Sequence, residues 1–510
     1  MSQHSIELTD LFQDCTLTEL QKGTTPQTTV LNFDSRAVEP NTAACFFALS
    51  GTQTDGHRYI EKAIDNGATT IVAEHFTNIP LENYPNVGFW KSPNSAETLA
   101  MAAKNYHGRA DEQLKIIGIT GTNGKTSVAT LGHSLCLQMG LSAGLISTVE
   151  NKLNHESLKS THTTPDPLQL HKLFAKMVQA GVQVCFMEVS SHALHQKRCH
   201  GVDFDVALFT NITHDHLDYH QTFRHYLNAK KILFDGLKKE AVAIVNSDDK
   251  NGRYMLQNCV AQKQYSFALR KTADYKAHVK EADISGMLLK INQTELYTTL
   301  VGNFNAYNLT SVYAVAHAFL AGHFFGNQID ALLPTISQLK AAEGRFDVQH
   351  FSNDRFGIVD YAHTPDALEN VLSTLRQLCQ KNQRIITIIG CGGNRDQSKR
   401  PLMGEIATRY SDEVIFTSDN PRNEDPEQII ADMVAGVSPE NEHKYSSNSN
   451  RKEAIRQAAK MSQSGDMVLL AGKGHEKTQQ IGHQILPFDD KIALAEAFEK
   501  TSNKKHPLKP

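Results

Sequence analysis

Residues 114–140 restrict the fold of this chain more tightly than any other stretch. An apolar run at 114–119 leads into Gly121-Thr122-Asn123-Gly124-Lys125-Thr126-Ser127. Apolar residues then recur at Val128, Leu131, Leu135 and Met139 and stop at Gly140. The first run predicts a buried strand, and the second, with helical spacing and a closing glycine, predicts a helix. Strand, glycine turn and helix in that order make an anion site, since loop N–H groups and the positive end of the helix dipole face one point. Gly121 and Gly124 give the backbone the freedom to close round a phosphate. Lys125 would reach the terminal phosphates, and the Thr126 hydroxyl would ligate Mg²⁺.

The strict G-x-x-x-x-G-K-[ST] pattern asks for glycine at position 119, where this chain has Ile119. The spacing present is G-x-x-G-K-[ST]. An ordinary strand-to-helix turn with a chance lysine is the bland alternative, and a nucleoside triphosphate site is the reading adopted.

At 510 residues the chain is too long for one core and predicts several domains. Its net charge of −4 carries no basic field of the kind that nucleic acid requires. No stretch of about 20 apolar residues is apparent, so membrane insertion is not expected. The N-terminus lacks both parts of a secretion signal, and the eight scattered cysteines form no C-x-x-C pair. Reduced thiols and a cytoplasmic location are the expectation. A monomer is expected.

Three units follow in order. Residues 1–110 read as a small α/β domain with strands at 29–36, 44–49 and 68–73 and a helix at 59–66 stopped by Gly67. Residues 111–340 hold the phosphate loop, the turn-rich Thr161-His162-Thr163-Thr164-Pro-Asp-Pro167, a helix at 168–180 and a buried strand at 182–189 that carries Glu188 near its end. Ligands of open α/β sheets collect outside such strand ends, so Glu188 is a candidate Mg²⁺ ligand. A run at 204–210 then enters Asn211-Ile-Thr-His214-Asp215-His216-Leu-Asp218-Tyr219-His220. Its five His/Asp side chains within seven residues ask for a metal or a proton-transfer role. A dinuclear metallohydrolase pattern, H-x-H-x-D-H, fails there on Tyr219. A helix at 223–237 carries Lys230 and Lys231, and another opens at Gly302-Asn-Phe304-Asn305-Ala-Tyr-Asn308 and ends near Gly322. Its amides at i and i+3 share a face and could read an adenine edge. Residues 341–510 alternate strand and helix, the doubly wound pattern. The Gly390-Cys-Gly-Gly-Asn394 turn is discounted as a dinucleotide fingerprint, because no helix follows directly and no acid sits at the required spacing.

Taken together, Gly121-Thr-Asn-Gly-Lys-Thr126, Glu188-Val-Ser-Ser-His192, Thr210-Asn-Ile-Thr-His-Asp-His216, Gly302-x-Phe-Asn-x-x-Asn308 and Asp360-Tyr-Ala-His363 resemble the Mur ligase family. These are ATP-dependent amino-acid-adding enzymes of peptidoglycan synthesis. Asp34-Ser35-Arg36, Asp55-Gly-His57 and Asp419-Asn-Pro-Arg422 narrow the resemblance to members that add meso-diaminopimelate, along nearly the whole chain. The resemblance implies three α/β domains: an N-terminal one for the UDP moiety, a central P-loop ATPase-like parallel sheet, and a Rossmann-like C-terminal one for the amino acid. It implies ATP and Mg²⁺, an acyl phosphate on the D-Glu carboxylate of UDP-N-acetylmuramoyl-L-alanyl-D-glutamate, and attack by the amine. An L-lysine-adding member is the nearest alternative, and a non-ligase ATP-driven switch is one from another class.

The roles implied are as follows. Residues Gly121 to Ser127, with Asn305, Arg345 and Asp360, meet ATP. Thr126, Glu188, His216 and Lys230 hold metal, Lys230 as a carbamate, with Lys231 as its adjacent decoy. Phe33, Ser35, Thr52, Gln53 and Thr54 meet the UDP part, and His162, Thr163, Thr164, Ser190, Gln196 and Arg198 the sugar or peptide. Arg395, Asp419, Asn420, Pro421, Arg422, Gly472 and Glu476 surround diaminopimelate. Departures from the family pattern are Phe304, where relatives often carry histidine, and the Pro40-Asn-Thr-Ala-Ala-Cys45 stretch in place of a Pro-Gly-Asp turn.

Overall fold

The computed structural model describes residues 5–502 except 52, 53 and 214. The expected ligands Thr52 and Gln53, and His214, therefore lie outside the described residues, as does the side chain of Asp218.

The first sheet has five strands in the order Thr18–Gln21, Gly88–Lys91, Ala68–Ala73, Ala44–Phe47, Val30–Asn32. Only its Thr18–Gln21 edge is antiparallel. The predicted 29–36 strand is cut short because the Asp34 side chain accepts from Arg36 N and starts a 3₁₀ turn at Ser35. A helix not read from the sequence, Ser95–Tyr106, opens on Asn94, whose side chain accepts from the N–H groups of Ala96 and Glu97. It sends Lys104 into the next unit. There the buried Nζ lies 2.8 Å from Asp111 Oδ2 and donates to Gly201 O at 2.9 Å. Lys104 Nζ also lies 3.1 Å from Glu112 Oε1, so the loss that matters is that of the lysine, which would leave Asp111 buried without its counter-charge at a cost of about 3–5 kcal/mol.

The central sheet has eleven strands. Lys115–Thr120 lies inside it, with Val184–Glu188 on one side and Val206–Phe209 on the other, all parallel. Register sets Glu188 opposite Ile119 and Phe209 opposite Thr120, so three neighbouring strands end at one place. Ile119 is fully buried in the strand, which is why the loop begins only at Gly121. An antiparallel extension, Tyr275–Asp283, Gly286–Ile291 and Thr294–Thr298, closes one edge of the sheet.

The helix opening at Asn303 does not stop near Gly322. Asn303–Val315 runs on into a wider-wound π segment, Ala316–Phe325. By length and composition alone, the whole run Asn303–Ser337 is long and apolar enough to cross a membrane. More than half of its most apolar window is buried in this fold, and Leu309, Val312, Phe319 and Leu320 belong to the same core as Ile117 and Leu131. Burial against the sheet is the physical reason that a soluble-type core can supply such a run.

The last sheet has the order Asp347–Phe351, Arg355–Asp360, Met467–Ala471, Ile385–Ile389, Glu413–Phe416, Tyr445–Ser447, parallel except at its first strand. Apolar residues face both ways from these strands, Ile385 into one core and Ile386 into the other, so helices cover both faces. A buried ion pair, Arg451 to Asp490 at 2.6 Å, ties the helices Arg451–Met461 and Asp490–Ser502.

Candidate active site

Strand, glycine turn and helix follow one another at 115–138 as the sequence predicts, and the shape of the turn is enforced from outside. Gly121 has φ 152° and Gly124 φ 89°. A Cβ on Gly121 would fall 1.9 Å from Thr210 Oγ1, and one on Gly124 2.9 Å from Asn308 Oδ1. Asn211 holds the turn, accepting from Thr122 N through its carbonyl at 2.8 Å and from Asn123 N through Oδ1 at 2.9 Å. Lys125–Gln138 starts at Gly124, so the N–H groups of Lys125, Thr126 and Ser127 have no intrahelical acceptor.

Around this loop the strand ends gather the expected charges. Lys125 Nζ donates to the carbonyls of Gly121 and Thr122, both at 2.9 Å. Burial lowers its pKa, while Glu188 and Asp215 counter the shift. Glu188 is buried and accepts from Thr148 N at 2.8 Å and from Thr148 Oγ1 at 3.2 Å. Thr148 Oγ1 also lies 3.0 Å from Thr163 Oγ1, and Thr164 Oγ1 donates to Glu188 O. Lys230 is 1 % exposed, donates to Gly121 O at 2.7 Å, and lies 4.4 Å from the centre of the Tyr226 ring. Burial, reinforced by the Lys125 ammonium, holds it well below the usual lysine range. His216 stands near the same tyrosine, 6.1 Å between rings, with Nε2 3.4 Å from Asp215 Oδ2 and a left-handed backbone at φ 53°. Lys231 points elsewhere, onto Asp235 and the Gln257 carbonyl.

Asn305 and Asn308 turn to each other. Asn308 Nδ2 donates to Asn305 Oδ1 at 3.2 Å, and Asn305 Nδ2 donates to Val301 O at 2.9 Å. Arg345 reaches across to Thr126 Oγ1 at 3.2 Å, with its guanidinium 4.7 Å from the Tyr361 ring centre. Asp360 accepts from Phe346 N at 2.6 Å and Ala362 N at 2.7 Å, and burial raises its pKa to about 6 against the pull of Arg345. A contact that the sequence did not suggest comes from Asp366, on the first turn of Pro365–Leu378. Its Oδ2 accepts from Asn123 Nδ2 at 2.7 Å and Thr213 Oγ1 at 3.1 Å.

The residues expected to meet the sugar and peptide continue outward from Glu188. Ser190 N donates to Thr164 Oγ1, and Arg198 donates to Thr164 O and to Gln196 Oε1. Gln196 donates to the hydroxyl of Tyr219, beside a cavity of about 420 Å³ lined by His195, Tyr219, His220 and His225. His162 is exposed, against Thr161. The UDP candidates lie apart, at the end of the N-terminal sheet. Phe33 is exposed, the Ser35 carbonyl accepts from Asn66, and Thr54 meets Tyr59. Asp55, His57 and His75 also gather there, with possible ligand atoms within 4.8 Å of one another. His57 Nε2 accepts from Glu74 N, so Nδ1 carries the proton that Asp55 receives at 2.7 Å. Neither ring nitrogen of His57 is left for a metal, and the Asp55-Gly-His57 motif works here as a brace.

The third group comes together on loops that follow strands of the C-terminal sheet. Arg422 has φ 52°, with its N–H on Gln480 O, its carbonyl receiving Gly482 N, and Nη1 on Gly393 O at 2.8 Å. A Cβ on Gly392 would sit 3.0 Å from Arg422 Nη1 and 3.7 Å from Arg395 Cγ, and one on Gly393 1.9 Å from Pro421 O. The Gly390–Asn394 turn thus makes room for the Asp419–Arg422 loop. Asn420 Nδ2 donates to Glu476 Oε2 at 2.8 Å. Asp419 is buried, and its Oδ2 would be 2.9 Å from a Cβ on Gly472, itself at φ 109°. Lys473, also buried and not anticipated, bonds both Asn420 and Glu476. Arg345, Tyr361 and His475 connect this group to the phosphate loop, with 5.0 Å between the last two rings.

Comparison with known proteins places this arrangement. Residues 27–117 match the profile "Mur ligase family, catalytic domain", 119–316 "Mur ligase middle domain" and 344–474 "Mur ligase, glutamate ligase domain". UDP-N-acetylmuramoyl-L-alanyl-D-glutamate–2,6-diaminopimelate ligase of Cytophaga hutchinsonii is 44% identical over 494 residues, covering 97% of this chain and 99% of that one. The protein of the same name from Phocaeicola vulgatus is 44% identical, again over 97% and 99%. A solved structure titled as that ligase superposes with a TM-score of 0.68 at 32% identity, covering 98% of this chain and 99% of the other. With relatives this similar spanning almost every residue, the chain belongs to the Mur ligase family.

Proposed function

We propose that this chain is an ATP-dependent, ADP-forming ligase that joins meso-diaminopimelate to the D-Glu carboxylate of UDP-N-acetylmuramoyl-L-alanyl-D-glutamate in peptidoglycan precursor synthesis, a cytoplasmic reaction. The observation that carries the reading is the meeting of three strand ends, where Lys125, Glu188 and the buried Lys230 surround one phosphate-sized loop.

A carboxylate is a poor electrophile, and phosphorylating it supplies a leaving group. Two anions must approach for that step, so fixed positive charge is required. Lys125 would provide it, swinging from the Gly121 and Thr122 carbonyls to the transferring phosphoryl group. Glu188 and Thr126 are hard oxygen donors that fit Mg²⁺, which when bound neutralises phosphate charge. His216 and Lys230 would complete a second metal position. A protonated lysine repels a cation, whereas a neutral amine can add CO₂ and present carbamate oxygens. The burial of Lys230 supports that modification. Asn305, Arg345 and Asp360 would hold the nucleotide. Thr164, Ser190, Gln196 and Arg198 would hold the peptide, and Phe33, Ser35 and Thr54 the UDP part. Arg395, Arg422, Asn420 and Glu476 would hold the incoming amino acid.

The test mixes enzyme, MgATP and the UDP-linked dipeptide with either meso-diaminopimelate or L-lysine and measures phosphate release. Release dependent on diaminopimelate is expected. Equal use of lysine would transfer the assignment to the lysine-adding branch, and release needing neither amino acid would remove the ligase reading.

A further inference from the structure

The strongest feature outside the assigned residues is Lys473, and its role rests on reading the Arg422 loop as the amino-acid pocket. We infer that Lys473 is a positioning residue, fixing the Asn420 amide and the Glu476 carboxylate so that they can receive the ammonium of the incoming amino acid.

Lys473 follows the strand Met467–Ala471 in a tight turn between Gly472 at φ 109° and Gly474 at φ 53°. That backbone turns the lysine inward, and its side chain is 0 % exposed. Nζ donates to Asn420 Oδ1 at 3.2 Å and to Glu476 Oε2 at 2.9 Å. An ammonium can only donate, so the oxygen of the Asn420 amide must be the end that faces it. Gln480 N donates to the same Oδ1 at 2.9 Å, which fixes the orientation twice. The amide nitrogen is then obliged to face Glu476 Oε2, as observed at 2.8 Å. Two donors occupy Oε2, and among the described residues none reaches Oε1. Glu476 Oε1 and one N–H of Asn420 are thus left without a partner among the described residues.

Charge gives the second argument. Asp419 and Glu476 are both drawn out of water here, and each alone would tend to take up a proton. The Lys473 ammonium opposes that tendency in both. A protonated Glu476 would lose its attraction for a substrate ammonium. Lys473 holds two side chains of the site at once, on segments more than 50 residues apart in sequence.

The test uses the full chain and the variant Lys473→Met, which keeps the stem and removes the charge. KM for meso-diaminopimelate should rise about 10- to 100-fold, as expected for an uncompensated charged partner. Turnover should fall less than about threefold, with KM for ATP and for the UDP-linked dipeptide unmoved, the pattern of lost ground-state positioning. Acyl phosphate trapped as a hydroxamate with hydroxylamine reports the first half-reaction without any amino acid and should keep its wild-type rate. Lys473→Gln, which can still donate to Asn420, should lie between wild type and Lys473→Met. An unmoved diaminopimelate KM in Lys473→Met, or failure of both variants to fold, overturns the proposal. If wild-type enzyme forms hydroxamate yet never couples diaminopimelate, it is the reading of the pocket that has failed.

Discussion

Lys125 and Lys230 donate to the same atom, the carbonyl oxygen of Gly121, at 2.9 and 2.7 Å. Two ammoniums on one acceptor repel, and the buried partner yields, which is why Lys125 figures among the causes that depress Lys230. Lys125 thus favours the neutral amine that the proposed carbamate at Lys230 would need. Lys125→Ala should fold normally and lose about 10²-fold or more in kcat. Lys230→Ala should be nearly inactive, with partial rescue by short carboxylates. Lys231→Ala should stay close to wild type, since its bonds to Asp235 and Gln257 lie away from the loop. Near-normal turnover by Lys125→Ala would remove the phosphate-loop assignment, and intact-protein mass showing only free Lys230 amine in active enzyme would remove the carbamate.

Beside Arg345, Asp366 also links the C-terminal unit to the 121–127 loop, through Asn123, and to the neighbouring Thr213. Both bonds end on one oxygen, so Asp366→Asn can keep them while losing the charge, whereas Asp366→Ala cannot. If the contact orients the loop during closure, Asp366→Ala should lose about tenfold in kcat/KM for ATP, and Asp366→Asn should retain most of it. Equal loss in both would point to the charge instead. Residues 341–345 follow the boundary between the central and C-terminal units and are the natural place for a hinge; Gly344 there has φ 66°, and a Cβ on it would lie 2.2 Å from His475 N. Gly344→Ala should therefore shift the scattering profile of the free enzyme, and an unchanged profile would argue against a hinge there.

Much of this was legible in the sequence because it was local. The glycines at 121 and 124 and the apolar strands each announce their conformation within a few residues. What stayed hidden depends on partners far along the chain. Asn211 braces a loop about 90 residues earlier, Thr148 holds Glu188, and Asp366 and Lys473 bond across separate segments. The helix expected to end near Gly322 is α-helical only to Val315 and runs on as a π segment to Phe325; no periodicity marks the change of winding, and most of residues 323–331 are exposed. The paired amides of Asn305 and Asn308 share a face as their spacing requires, but they bond each other and the Val301 carbonyl in this structure.

Asp360 gives a pH signature. Its carboxyl is pushed up from 3.8 to about 6 by burial, with Arg345 and two backbone donors opposing. A folded pKa above the unfolded one means that the native state binds the extra proton between those values. Stability from this group is therefore full below pH ~4 and falls as pH rises through ~6, by on the order of 3 kcal/mol at most. Wild type compared with Asp360→Asn should show that decline in chemical denaturation across this window, and a flat difference would contradict the shift. Function should run the other way. The carboxylate supports Arg345, so KM for ATP should rise below pH about 6 in wild type and stay level in Asp360→Asn.

Arg422 separates stability from selectivity. Its φ of 52° lies in the left-handed region, held by hydrogen bonds to Gln480 and from Gly482. An L-residue pays roughly 1–2 kcal/mol there, and glycine does not. Arg422→Gly should consequently be more stable than Arg422→Ala by about 1 kcal/mol, a difference read from paired denaturation curves. Neither variant offers a guanidinium. Diaminopimelate differs from lysine by one carboxylate, and the planar fork of arginine matches that group with two charge-assisted bonds. A site built around such a group rejects the analogue lacking it by roughly 10⁴-fold. Both variants should raise KM for diaminopimelate steeply, narrow the gap to lysine, and leave KM for ATP alone, since Arg422 contacts Gly393 and Gln480 rather than the phosphate loop. Wild-type discrimination surviving in Arg422→Gly would show that the far carboxylate is read elsewhere, with Arg395 across Gly392 the next residue to change.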